Sequence, residues 1–181
     1  MGALKRDALC GRSRSLCSAR SRMRRILLVA VASAVFLLDR VSKLALPDLL
    51  SEGAPREILG NTLQLIRSEN HGGLFGLFQG SAPLLALLSL GVVALLLYMH
   101  EREGESRPSP LTFATGLLIG GALGNLLDRI IMGYVLDFID LGLGALRFWT
   151  FNVADMGISF GILIILVAAI RSRVDPARSG Q

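Results

Sequence analysis

Four apolar runs, residues 26–46, 82–99, 111–131 and 154–170, set the limits on what this chain can become. They hold 21, 18, 21 and 17 residues, close to the roughly 20 that a helix needs to cross ~30 Å of hydrocarbon. The chain is 52% hydrophobic over 181 residues, with a mean hydropathy of +0.56. A water-soluble domain needs more polar surface than that to cover its core. The expected fold class is therefore a membrane all-α bundle of four transmembrane helices. Residues 26–170 form one domain, and no separate soluble domain fits beside it. Residues 1–25 are expected to be a basic tail without structure, and 171–181 a short C-terminal tail.

The net charge is +5, and its distribution says more than its sum. Eight of the nineteen Lys and Arg residues fall in the first 25 positions, and Arg171, Arg173 and Arg178 follow the last run. The loops 47–81 and 132–153 carry only Arg56, Arg67 and Arg147. The excess of cations marks the cytoplasmic side, so both termini are expected there and the two loops outside. A basic tail can also bind nucleic acid, but no basic folded module follows it, so no nucleic-acid partner is expected. Cys10 and Cys17 lie in the tail at a spacing that suits no zinc motif. Met23 directly ahead of the first apolar run is a natural alternative start. A cleaved signal peptide ending at Ala34 is a rival reading. Against it, the apolar run continues through Val35, Phe36, Leu37 and Leu38.

The first run cannot reach full length without Asp39, Arg40 and Lys43. Asp39 and Lys43 are four apart, on one helix face, and can pair. Residues 61–67 alternate as a half-buried strand does, ahead of a glycine- and phenylalanine-rich segment from Asn70 to Gly80. The second run has no Asp, Glu, Lys, Arg or His and is expected to face lipid. The third carries Gly116, Gly120 and Gly124, a spacing that lets helix backbones approach. Asn125, Asp128 and Arg129 continue near that stripe. Such groups facing lipid would cost roughly 2.5–3.5 kcal/mol each at the bilayer centre, so inward-facing partners are expected. Gly157 and Gly161 form a second stripe, through which runs three and four are expected to touch. Asn152 suits an N-cap, with Asp155 at the third helical position.

Asp137, in the loop leaving the third run, and Asp155, opening the fourth, are both expected at the outer surface. Two close carboxylates do not both ionise readily, so the pair holds a proton between them. The ionised member takes a proton from water and the protonated one polarises a peptide carbonyl, which is the chemistry of an aspartyl protease. Other constellations are poor. No serine sits in a nucleophile motif, and two histidines on opposite sides of the membrane build no zinc site. A metal site from Asp137, Asp140 and Asp155 would be sparse. No metal or cofactor is expected. The competing function is a small proton-coupled transporter using Asp39, Asp128 and Asp155 as a relay, but these residues gather toward one surface.

Taken together, the blocks LDRVSK (Asp39, Lys43), Asn70 through Gly72 to Phe75, GNLLDRIIMGYVLDFID (Asn125, Asp128, Arg129, Val135, Asp137) and FNVAD (Asn152, Ala154, Asp155) resemble the lipoprotein signal peptidases, also called signal peptidase II. The resemblance runs from about residue 26 to 170. It implies four transmembrane helices with a small extracytoplasmic β-cradle and an outer helical segment lying on the membrane. It implies cleavage of diacylglyceryl-modified prolipoproteins before the lipidated cysteine, in the bacterial inner membrane, with Asp137 and Asp155 as catalytic dyad. Asp39, Lys43, Asn70, Gly72, Phe75, Asn125, Asp128, Arg129, Val135, Asn152 and Ala154 fall on substrate-binding or supporting positions. Membrane lipids and a globomycin-type inhibitor are the further partners it implies. Gly73 and Leu74 stand where the family usually has small alanines.

Overall fold

A computed structural model describes residues 2–46, 50, 55–72, 80–102, 108–143 and 146–174, with side chains from residue 18 to 173. The elements follow as α1 (Gly2–Ala45), β1 (Arg56–Leu59), β2 (Leu63–Asn70), α2 (Ala82–Arg102), α3 (Pro110–Ile131), β3 (Val135–Leu143), β4 (Leu146–Arg147) and α4 (Val153–Val174). Among the described residues, α2, α3 and α4 are long and apolar enough to cross a membrane. The fourth helix of the expected bundle, α1, carries Asp39, Arg40 and Lys43 near its end.

The basic segment before residue 26, expected to lack structure, is instead the first part of α1. The cause is local. No proline occurs before Pro47, and Ala, Leu and Arg make up thirteen of the segment's 25 residues. Extending an existing helix orders one residue per added hydrogen bond and needs no new nucleus.

Helix α3 is the centre of the bundle and touches each of the other three helices. Its glycines make this possible, but not through the single stripe expected from their spacing. A methyl group on Gly120 would lie 2.5 Å from the Ala32 carbonyl oxygen of α1, and one on Gly116 would meet Val31. Gly121, turned about 100° further round the helix, faces α4, where a methyl would press onto the Ala154 carbonyl oxygen. On α4, Gly161 meets α3 as expected, and Gly157 meets the Leu117 carbonyl oxygen of α3 and also Val35 of α1. Helix α2 packs along one side of α3 and buries only Val93 and His100 of its own residues.

The four strands form one antiparallel sheet in the order β1-β2-β3-β4. The strand expected over 61–67 extends to Asn70, which pairs with Val135. At the end of α3, Met132 and Gly133 donate to the carbonyls of Asp128 and Arg129, and Gly133 takes φ +78°. That left-handed step, costly for a residue with a Cβ, turns the chain directly into β3. No helix lying along the surface occurs among the described residues. Phe75 and the Gly73–Leu74 departure lie outside them.

Candidate active site

Asp137 lies on β3 and Asp155 in the first turn of α4. One isolated bridge joins their elements. Phe151 donates its N–H to the Ile139 carbonyl at 2.9 Å and accepts from the N–H groups of Ile139 and Phe138 at 2.8 and 3.1 Å. The next residue, Asn152, is thereby set beside β3. Its Nδ2 donates to Asp137 Oδ1 at 2.6 Å. Its Oδ1 accepts from the Asp155 N–H at 3.0 Å, while Asp155 Oδ2 accepts from the Asn152 N–H at 3.3 Å. This is a reciprocal capping box, with aspartate in the place usually held by Glu or Gln.

Asn125 of α3 completes the connection. Its Nδ2 donates to Asp155 Oδ1 at 2.8 Å, and its Oδ1 accepts from Asn152 Nδ2 at 3.2 Å and Lys43 Nζ at 3.3 Å. Two donors on the oxygen fix the direction of the amide, so its nitrogen must face Asp155. Asn70 holds the other oxygen of Asp137 at 3.1 Å and accepts from the Gly72 N–H at 3.1 Å. Arg129 reaches the carbonyls of Gly72 and Asn125 at 3.2 and 3.3 Å.

Both carboxylates open into one cleft of about 700 Å³, lined also by Asn70, Gly72, Asn125, Arg129 and Val135. One wall is apolar, from Trp149 and Phe151 to Ile158 and Ile162 along α4. Burial pushes the Asp137 carboxyl up to about 7, and the nearby Asp155 charge adds to the rise. The hydrogen bonds from Asn70 and Asn152 and the Lys43 charge pull the other way.

Behind the cleft lie four buried or nearly buried charges. Lys43 Nζ pairs with Asp39 at 2.8 Å and with Asp128 at 2.7 Å, and Arg40 contacts both carboxylates. Asp39 and Asp128 are each 0% exposed. Each also accepts from the backbone of an element that carries a cleft carboxylate. Asp39 takes the Ala154 N–H at 3.0 Å, and Asp128 takes the Leu136 N–H at 3.3 Å. Gly124 makes the room, since a methyl there would lie 2.7 Å from Asp39 Oδ2.

The expected Asp39–Lys43 pair and the Asn152 cap are therefore both present, and Asp137, Asp155, Asn70, Gly72, Asn125, Arg129 and Val135 share one cleft. Asp140 is not brought in. Its carboxylate is bonded to Arg147 of β4, which also reaches Gln64 Oε1 at 3.0 Å. Sequence reasoning left Arg40 outside the candidate set. Its signal was a guanidinium inside an apolar run, which needs an acid, with Asp128 available. Ile158, Ile162 and Phe151 were also missed, because an apolar wall looks like any lipid-facing surface in sequence.

Residues 31–171 match the family described as signal peptidase (SPase) II. A lipoprotein signal peptidase of Caulobacter vibrioides is 40% identical over 151 residues, covering 79% of this chain and 86% of that protein. One of Halothermothrix orenii is 34% identical over 135 residues, covering 74% and 88%. Among solved structures, one of a bacterial membrane enzyme superposes with a TM-score of 0.75 at 26% identity, covering 81% of this chain and 88% of the other.

Proposed function

The chain belongs to the signal peptidase II family of membrane aspartic endopeptidases, which removes signal peptides from prolipoproteins, and we propose that Asp137 and Asp155 are its catalytic dyad. The observation that carries this is the Asn125–Asn152 link, which holds the two carboxylates in one cleft. Asp137, raised to about 7, carries the shared proton near neutral pH. Asp155, in the first turn of α4 with two N–H donors on it, carries the charge, which the helix N-terminus favours.

A water molecule between them gives a proton to Asp155 as its oxygen attacks the scissile carbonyl carbon. Asp137 delivers its proton to the carbonyl oxygen, and a gem-diol forms. Asp155 then protonates the amide nitrogen, the C–N bond breaks, and the hydroxyl proton returns to Asp137 as the carbonyl re-forms. The water's proton leaves on the amine, its oxygen stays in the new carboxyl group, and both aspartates end in their starting protonation states, so the cycle runs on these two carboxyls alone.

The substrate class fits the cleft. A diacylglyceryl-modified cysteine keeps its acyl chains in the bilayer and its scissile bond near the headgroups. The Ile158–Ile162 wall runs from the carboxylates along α4 and suits such chains. Helix α1 is the fourth span, both termini are cytoplasmic, and the sheet forms the outer cradle. A globomycin-type cyclic peptide would compete for the same cleft. The transport alternative finds no support in these relatives.

The test is processing of a lipidated precursor in a bacterial strain lacking its own enzyme. Asp137→Asn and Asp155→Asn should each let precursor accumulate while the protein still inserts. Full processing by either variant overturns the dyad.

A further inference from the structure

We propose that the β3–β4 hairpin is a lipid anchor that dips into the outer leaflet and holds the sheet against the bilayer beside the cleft. The argument begins with which residues share a face. Leu143 pairs with Leu146, and Phe148 donates its N–H to the Leu141 carbonyl at 2.7 Å. Cross-strand partners, and residues two apart on a strand, lie on the same face. That face is therefore Leu141, Leu143, Leu146 and Phe148, which are 38%, 78%, 80% and 64% exposed.

The opposite face carries the polar groups and turns inward. Gly142 pairs with Arg147, and the guanidinium folds back over the glycine, where a methyl would lie 2.6 Å from Nη1. It bonds there to Asp140, Gln64 and the Asn61 carbonyl. A hairpin in water does the reverse, with apolar residues on the core and charges outside. Here the hairpin's one cation is withdrawn and neutralised, and four large apolar side chains are presented together. Such a patch marks an interaction surface.

Its place in the chain says what covers it. Helix α3 ends in Ile130 and Ile131, both about two-thirds exposed, just before β3 begins. Helix α4 exposes Met156 and Phe160 after its N-cap at Asn152. The hairpin is strung between two lipid-facing helix ends, which keeps both of its roots at the membrane surface. Phe148 and Trp149 pack ring to ring at 5.4 Å, three or four residues before that N-cap. Aromatic side chains concentrate at that level of a bilayer. With its cation withdrawn, the patch binds by apolar burial, so its contact with lipid is insensitive to salt and to anionic lipid content. Trp149 also lines the cleft, so the anchor steadies one wall of the site.

The inference rests on the membrane placement given above, and its test reads lipid contact, not cleavage. Trp149 is the only tryptophan in the chain, so its fluorescence reports this hairpin alone. The full chain is reconstituted in vesicles containing phospholipids brominated high or low on the acyl chain. Bromines high on the chain should quench Trp149 at least roughly twofold more than low ones, with little quenching by aqueous iodide and no change with added anionic lipid. The double variant Leu143→Glu, Leu146→Glu should lose most of the bromolipid quenching and gain quenching by iodide. Iodide quenching of the unaltered protein without bromolipid quenching overturns the proposal. So does an unchanged profile in the double variant, or quenching that depends on protein density, which would point to a second copy. Precursor processing measured in parallel keeps this result separate from the fate of the dyad.

Discussion

Replacing Asp137 with Asn should make the protein more stable as the pH rises, although it destroys the proposed active site. A buried carboxyl raised from 3.8 to about 7 binds its proton more tightly in the native state than in the unfolded chain. Its contribution to stability is complete below about 3.8, is lost as pH rises, and is gone above about 7. At about 1.36 kcal/mol per pH unit, ionising Asp137 in the fold costs about 4 kcal/mol. The Asn variant does not ionise and avoids that cost.

The new amide carries a separate penalty. Both carboxylate oxygens of Asp137 accept hydrogen bonds, from Asn152 and Asn70, and an amide offers only one acceptor oxygen. One partner then faces an NH₂ group, at about 1–3 kcal/mol. That penalty does not depend on pH, so the shape of the difference curve isolates the carboxyl. Equilibrium unfolding in mixed micelles, followed by circular dichroism from about pH 4 to 9, gives both curves. The stability of Asp137→Asn minus that of the parent should rise by about 4 kcal/mol between about pH 4 and 8, then level off. Parallel curves would refute the reasoning, because they would mean that Asp137 titrates alike in both states and is not a proton reservoir at neutral pH.

Other perturbations test the framework around the dyad. Gly121→Ala drives a methyl onto the Ala154 carbonyl oxygen, so it should cost about 1–3 kcal/mol in thermal unfolding and reduce precursor processing; Gly91→Ala, with nothing within 4 Å, should be neutral or slightly stabilising in the same assays. Asp140→Asn should keep substantial processing activity, because Asp140 is engaged with Arg147 outside the cleft, and abolished cleavage would move the catalytic assignment toward it. Lys43→Met leaves Asp39 and Asp128 sharing Arg40 alone and should cost about 3–5 kcal/mol, read as loss of folded protein in detergent. Adding Asp128→Asn to it restores neutrality and should recover part of that loss.

Much of the site was legible because its residues obey local rules. Asp39 and Lys43 are one helical turn apart, and Asn152 and Asp155 have the spacing of a capping box. The two cleft aspartates follow or open apolar runs, where a carboxylate needs a reason. What stayed hidden depends on the third dimension. The four-residue glycine spacing signals close approach but not to which helix, and Gly120 and Gly121 face different neighbours. The Phe151–Ile139 bridge is an isolated pair, with Phe151 outside any strand, yet it brings Asn152 to Asp137. The outward apolar face of the hairpin required knowing that Leu143 lies opposite Leu146 and that Arg147 turns inward. The segment before residue 26 is helical although it lacks apolar periodicity, because it holds no proline and is continuous with a long apolar helix.

The buried charges explain how a site made from separate elements keeps its geometry inside a membrane. An apolar cluster of equal size would often hold the bundle as well or better, so stability alone does not account for four ions behind the cleft. Their hydrogen bonds do. Asp39 grips the N–H of Ala154, the residue before Asp155, and Asp128 grips the N–H of Leu136, the residue before Asp137. Lys43 joins the two grips and also fixes the Asn125 amide that faces Asp155. Each cleft carboxylate is thus set from behind by an acid that grips the N–H one residue before it on its own strand or helix, and a single ammonium ties the two acids together. Apolar packing tolerates sliding by a fraction of an ångström, whereas a charged acceptor on one particular N–H does not. In the proposed mechanism the two carboxylates share one proton and one water, so their separation is what has to stay constant, and the quartet is placed where it holds it.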